Sequence, residues 1–96
     1  MLIYERIYQD MTRALKEKRK DEHSFLLSTY LKLKDKAEYL HQRQLDDKDT
    51  LDFLIEQAKC FENCKKIFES FKREGDVKTL SFKLDILYKY IPSNLK

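Results

Sequence analysis

Apolar positions recur at spacings of three and four along most of the chain, and four stripes can be traced. Ile3, Ile7, Met11 and Ala14 or Leu15 form the first, which predicts a helix over about residues 2–17. The run from Lys16 to Asp21 holds no hydrophobic residue and predicts a turn. Leu26, Tyr30, Leu33, Ala37 and Leu40 form the second stripe, with Leu27 and Leu31 widening it, over about residues 22–43. A polar stretch from Gln42 to Asp49 then breaks the pattern, and Asp46 is placed to cap the next helix, with Asp49 as a weak capping-box partner.

The third segment, about residues 47–73, carries Leu51, Leu54, Ala58, Phe61 and Phe68, interrupted only by Lys65. It also carries a second stripe of Phe53, Cys60, Cys64, Ile67 and Phe71, which predicts that this helix is covered on two sides. Gly75 stands where a left-handed residue would end it. Asp76 is then expected to cap a fourth helix, about residues 77–91, with Val77, Leu80, Leu84, Leu87 and Ile91 on its core face. Pro92 would close it, because the residue before proline is pushed out of helical geometry.

No segment alternates with period two long enough to make a strand. One Gly and one Pro leave little material for hairpins or bulges. The prediction is an all-α, small four-helix domain spanning residues 1–96, with short connections and antiparallel neighbours. Leu54, Ala58, Leu84 and Leu87 are its expected core. The 12% aromatic content argues against disorder, and no apolar run approaches the ~20 residues of a membrane span. Two cysteines are too few for a disulfide scaffold and suit a reducing, cytoplasmic setting.

Charge changes the picture only locally. Residues 1–44 carry ten Lys/Arg against seven Asp/Glu, while residues 45–96 carry ten of each. The excess gathers at Lys16, Lys18, Arg19 and Lys20, with Lys32 and Lys36 further on. These six residues are the candidate phosphate contacts, set against the plainer reading of a solvated surface.

Motifs that would carry catalysis are not found. The chain lacks a glycine-rich phosphate loop and a serine nucleophile elbow. Cys60 and Cys64 share a helix face but would need further ligands to hold a metal, so packing is the expected role. Glu38 and His41 form a single Glu-x-x-His where a di-iron bundle needs two plus two more carboxylates. Asp46, Asp47, Asp49 and Asp52 lack the spacing of a calcium loop. No catalytic centre, cofactor or metal is expected.

The order of features resembles YqeY-like proteins (the GatB/YqeY group). The opening from Leu2 to Lys16 is similar to that family's first helix, and Lys18, Lys20, Ser24, Leu26, Lys34 and Lys36 continue the match. Leu45-Asp46-Asp47-Lys48-Asp49-Thr50-Leu51-Asp52-Phe53-Leu54 resembles the family's Leu-Thr-Asp-Glu-Glu-Val-Ile helix start. Lys59 and Phe68 keep their places. The most specific piece is Ile86-Leu87-Tyr88-Lys89-Tyr90-Ile91-Pro92, similar to Ile-Leu-Glu-Lys-Tyr-Leu-Pro. Departures fall at Phe25 to Ser28, at Cys60-Phe61-Glu62 and at Gly75, where the family has basic residues or paired glycines.

The resemblance implies a non-enzymatic accessory or interaction domain like the N-terminal domain of that family, linked to tRNA or to the tRNA-dependent amidotransferase. Family members continue past the proline into a second helical module, the part associated with tRNA. The chain is therefore expected to be either a piece of a longer protein or a member reduced to its first domain. The alternative is a protein-binding or self-associating module without a nucleic-acid role. Its interface candidates are Phe53, Ile67, Phe71 and Phe82, whose burial against a second copy would make a homodimer.

Overall fold

The computed structural model describes residues 1–95, and every regular element among them is helical. The order is α1 (Ile3–Lys16), α2 (Lys20–Tyr39), α3 (Asp47–Ser70) and α4 (Glu74–Tyr88), followed by a short 3₁₀ turn at Ser93–Leu95. The all-α prediction holds, and the four segments fall where the apolar stripes place them. The chain divides into two units, Met1–Thr50 and Leu51–Lys96.

The first unit is a hairpin of α1 and α2 with the loop and first turn that follow. Ile7, Met11 and Ala14 of α1 are buried, as are Leu26, Leu33 and Ala37 of α2. The expected widening through Leu27 and Leu31 does not occur. Thr29 is buried instead, and Leu31 is 49% exposed. At 100° per residue, Leu26, Thr29, Leu33 and Ala37 span a narrow arc that leaves Leu27 and Leu31 to its side. Leu15 and Leu40, both placed on the stripes by spacing, are also exposed at the helix ends.

In the second unit, Leu54 and Ala58 of α3 and Leu80, Leu84 and Leu87 of α4 are buried, as the stripes predict. Ile86 is buried as well, which widens the buried arc of α4, and Tyr90 is buried just past its end. Phe82 points away from this arc and is 41% exposed. The Tyr88 hydroxyl donates to Glu62 Oε1 at 2.8 Å and ties α4 to α3.

Helix ends depart furthest from expectation. Gly75 does not end α3; Lys72 does so with φ of 57°, and Gly75 lies in the first turn of α4 with nothing near its missing Cβ. The Lys72 N–H donates to the Glu69 carbonyl and the Arg73 N–H to the Phe68 carbonyl. That pair of bonds is the Schellman arrangement, which satisfies carbonyls the helix end would leave orphaned. The same pair recurs after α1, with Lys18 left-handed, and after α2, with His41 left-handed. The turn at His41 ends α2 at Tyr39, four residues short of the predicted boundary.

Asp76 does not cap α4. The helix begins at Glu74 because the Arg73 carbonyl already accepts the Val77 N–H, and Asp76 instead pairs with Arg73 at 2.6 Å. At its other end, Lys89 and Tyr90 donate to carbonyls three residues back and tighten the last turn ahead of Pro92. Ile91 is therefore buried but lies outside the helix.

Candidate nucleic-acid interface

The α1–α2 turn is built by the Schellman bonds that make Lys18 left-handed and reverse the chain. Lys16 closes α1, Lys18 forms the turn and Lys20 opens α2, so three exposed ammonium groups gather within five residues. No ion pair involves these three among the described residues, which leaves their charge available to an anion in solution.

Arg19, between them, is differently placed. Its guanidinium pairs with Glu17 at 3.0 Å and with Glu22, and its backbone forms the N-terminal boundary of α2. A phosphate would have to displace two carboxylates to reach it. Lys32 and Lys36 lie further along α2, about 18 and 24 Å from Lys20 at 1.5 Å per residue. Lys32 is exposed, whereas Lys36 directs its ammonium to the Asp49 carbonyl at 3.4 Å. The six candidates therefore separate into a compact turn cluster and two distant lysines, one of which is engaged in holding the loop.

That loop is organised by carboxylates at the start of α3. Asp46 caps the helix as expected, its Oδ1 accepting the Asp49 N–H at 2.8 Å. The reciprocal half of the capping box is supplied by Gln42 rather than Asp49. Its Oε1 accepts the Asp46 N–H at 3.1 Å, and its Nε2 donates to Asp49 Oδ2 at 3.1 Å. Asp47 reaches back to accept the Ile3 N–H at 2.8 Å, capping α1 across 44 residues. Asp46 and Asp47 are thus committed to helix starts.

Above this loop lies a tyrosine cluster. The Tyr30 ring stands 5.3 Å from Tyr4 and 5.2 Å from Tyr8, tilted against both. Burial, a hydrogen bond with Tyr30 and nearby Glu38 push the Tyr4 phenol well above its ordinary range, so it stays protonated. Tyr30, Lys34, Glu38, Arg43 and Gln44 line a pocket of about 280 Å³ over Tyr4 and Ala37. Tyr30, Lys34 and Glu38 are legible as an i, i+4, i+8 row. Arg43 and Gln44 are not, because their return over the row depends on the left-handed turn at His41.

The remaining chemical candidates are accounted for individually. His23 Nδ1 lies 3.0 Å from the Met11 carbonyl and joins α2 to α1. His41 serves as the left-handed turn residue. Cys60 is exposed, Cys64 half-buried, and both are free thiols. Among the described residues, no group of three or more His, Cys, Asp or Glu is arranged to hold a metal ion. Among the described residues, no helix is long and apolar enough to cross a membrane.

The interface candidates lie in the second unit. Ile67 of α3 is 55% exposed and Phe71, just past its end, 72% exposed, while Phe53 is half-buried. Phe82 is exposed on α4.

Residues 4–96 match the family model for Yqey-like protein, and the chain belongs to that family. No match was found among curated proteins.

Proposed function

We propose that this YqeY-like chain is a non-catalytic accessory domain of the cytoplasm that works beside tRNA, in the setting of tRNA-dependent amidotransferase chemistry. The observation that carries this reading is the turn cluster of Lys16, Lys18 and Lys20, three exposed cations held on a hydrogen-bonded reversal. Phosphate oxygens are the natural partners of such a cluster, and lysine serves them as a point charge without demanding a fixed geometry. Arg19 supports the reading indirectly, because its pairs with Glu17 and Glu22 hold the turn in shape.

The roles of the titratable residues favour an accessory part over a catalyst. His23 is spent on a contact between helices, and Asp46 and Asp47 on capping. The test is fluorescence anisotropy with labelled tRNA at low salt. The wild type should bind, and a Lys16→Ala/Lys18→Ala/Lys20→Ala variant should bind more weakly by a similar factor on unrelated tRNAs. Undetectable binding by the wild type would remove the RNA role.

A second reading rests on the exposure of Ile67 and Phe71, which large apolar side chains seldom show without a partner. It makes the chain a protein-docking or self-associating module. Sedimentation at micromolar concentration distinguishes it: a dimer that becomes a folded monomer on Phe71→Glu supports it, and a persistent wild-type monomer excludes self-association.

A further inference from the structure

The pocket beside Tyr30 combines three features that seldom meet on a helical surface. It has an accessible aromatic ring, two cations and a pair of hydrogen-bonding side chains. Tyr30 is half-buried and packed at a tilt against Tyr4 and Tyr8, so its position is set before any ligand arrives. Lys34 stands one turn further along α2, and Arg43 is brought back by the left-handed turn at His41. The bonds from Gln42 to Asp49 and Asp46 pin the loop that carries Arg43 and Gln44. No ion pair involves Lys34 or Arg43 among the described residues.

We infer that this pocket receives one unstacked nucleotide of single-stranded RNA, its base against Tyr30 and its phosphate at Lys34 and Arg43. The inference rests on the RNA reading above and adds which part of the RNA is held. An aromatic face accepts any base, and the carboxylate of Glu38 with the amide of Gln44 can meet amino and carbonyl groups on a base edge. Two cations against one carboxylate leave the lining net positive, as a phosphate requires. The volume of about 280 Å³ sits at the low end for ligand pockets and suits a single nucleotide rather than a larger cofactor. Bases inside an A-form duplex are stacked and cannot enter, so the site selects loops and ends.

Anisotropy with a labelled single-stranded oligoadenylate and a duplex of equal length tests this on the full chain. The wild type should prefer the single strand, and Lys34→Glu/Arg43→Glu should weaken that binding about tenfold or more, the scale of one stacked and neutralised nucleotide. Both positions are exposed, and circular dichroism checks that the variant stays folded. Tyr30→Leu, which fills the space but removes the aromatic face, should also weaken single-strand binding. If the pocket variant binds single strands as tightly as the wild type while the Lys16/Lys18/Lys20 variant loses binding, the pocket inference fails and the RNA reading stands. If the wild type binds neither tRNA nor the oligonucleotide, the RNA reading fails and takes this inference with it.

Discussion

Lys18, His41 and Lys72 hold left-handed backbone, with φ of 60°, 57° and 57°, where a Cβ carries a steric cost that glycine avoids. Each sits at the position where Schellman turns favour glycine. Lys72→Gly should therefore stabilise the fold by about 0.5–1 kcal/mol, read as a higher urea midpoint with unchanged slope. A lower midpoint would mean that the lysine side chain contributes more than its backbone costs. Thr50 presents the opposite case. It is fully buried, and its hydroxyl has no hydrogen-bond partner among the described residues. Thr50→Val keeps the shape and removes the unsatisfied oxygen, so a gain of roughly 1 kcal/mol is expected in the same assay. A loss of that size would show that the hydroxyl is satisfied in solution. The core residues were legible in the sequence, since Leu54, Ala58, Leu84 and Leu87 follow from spacing alone and are all buried. Leu45 and Thr50 were not. They occupy the staple positions flanking the Asp46 cap, and a lone leucine in a polar run carries no periodicity to reveal it.

Helices were legible in number and place because four stripes with a period near 3.6 survive along the chain. Their ends were less so. Three of them stop at a left-handed residue that is not glycine, and the one glycine lies inside α4. A sequence signal built on glycine therefore pointed three residues too late at the α3–α4 junction. The starts follow a similar logic. α1, α2 and α4 have no side-chain cap from their own boundary residue, whereas α3 has Asp46. For α1 the deficit is met from 44 residues away by Asp47, a contact no local pattern could announce. Asp47→Ala should cost about 1 kcal/mol and raise amide exchange selectively in the first turn of α1. Unchanged protection at Ile3 to Arg6 would show that the long-range cap contributes nothing.

Each unit of the molecule holds a tyrosine kept from ionising. Burial chiefly, with hydrogen bonds to Tyr30 and Glu62 respectively, raises the phenols of Tyr4 and Tyr88 above the ordinary value near 10. A raised folded value means that the associated stability is complete below about pH 10. It is lost above that, where the unfolded chain releases protons that the folded chain retains. Urea midpoints should fall between about pH 9 and about pH 11, and fall less in a Tyr4→Phe/Tyr88→Phe variant. Equal losses in both proteins would assign the alkaline effect to lysines instead. At this scale the candidate interface was only partly legible. The sequence pointed to Lys16, Lys18 and Lys20, but the commitments of Arg19 and Lys36, and the convergence of Arg43 on Tyr30, are products of the fold.

If tRNA is held through phosphate contacts at the α1–α2 turn, the salt dependence of its affinity reports them directly. Each neutralised phosphate releases counterions, so a plot of log affinity against log salt should be steep for the wild type. It should flatten by roughly 2–3 in the Lys16→Ala/Lys18→Ala/Lys20→Ala variant, one step per lysine removed. A wild-type slope near zero, or a variant with the wild-type slope, would contradict the assignment of RNA contact to this turn.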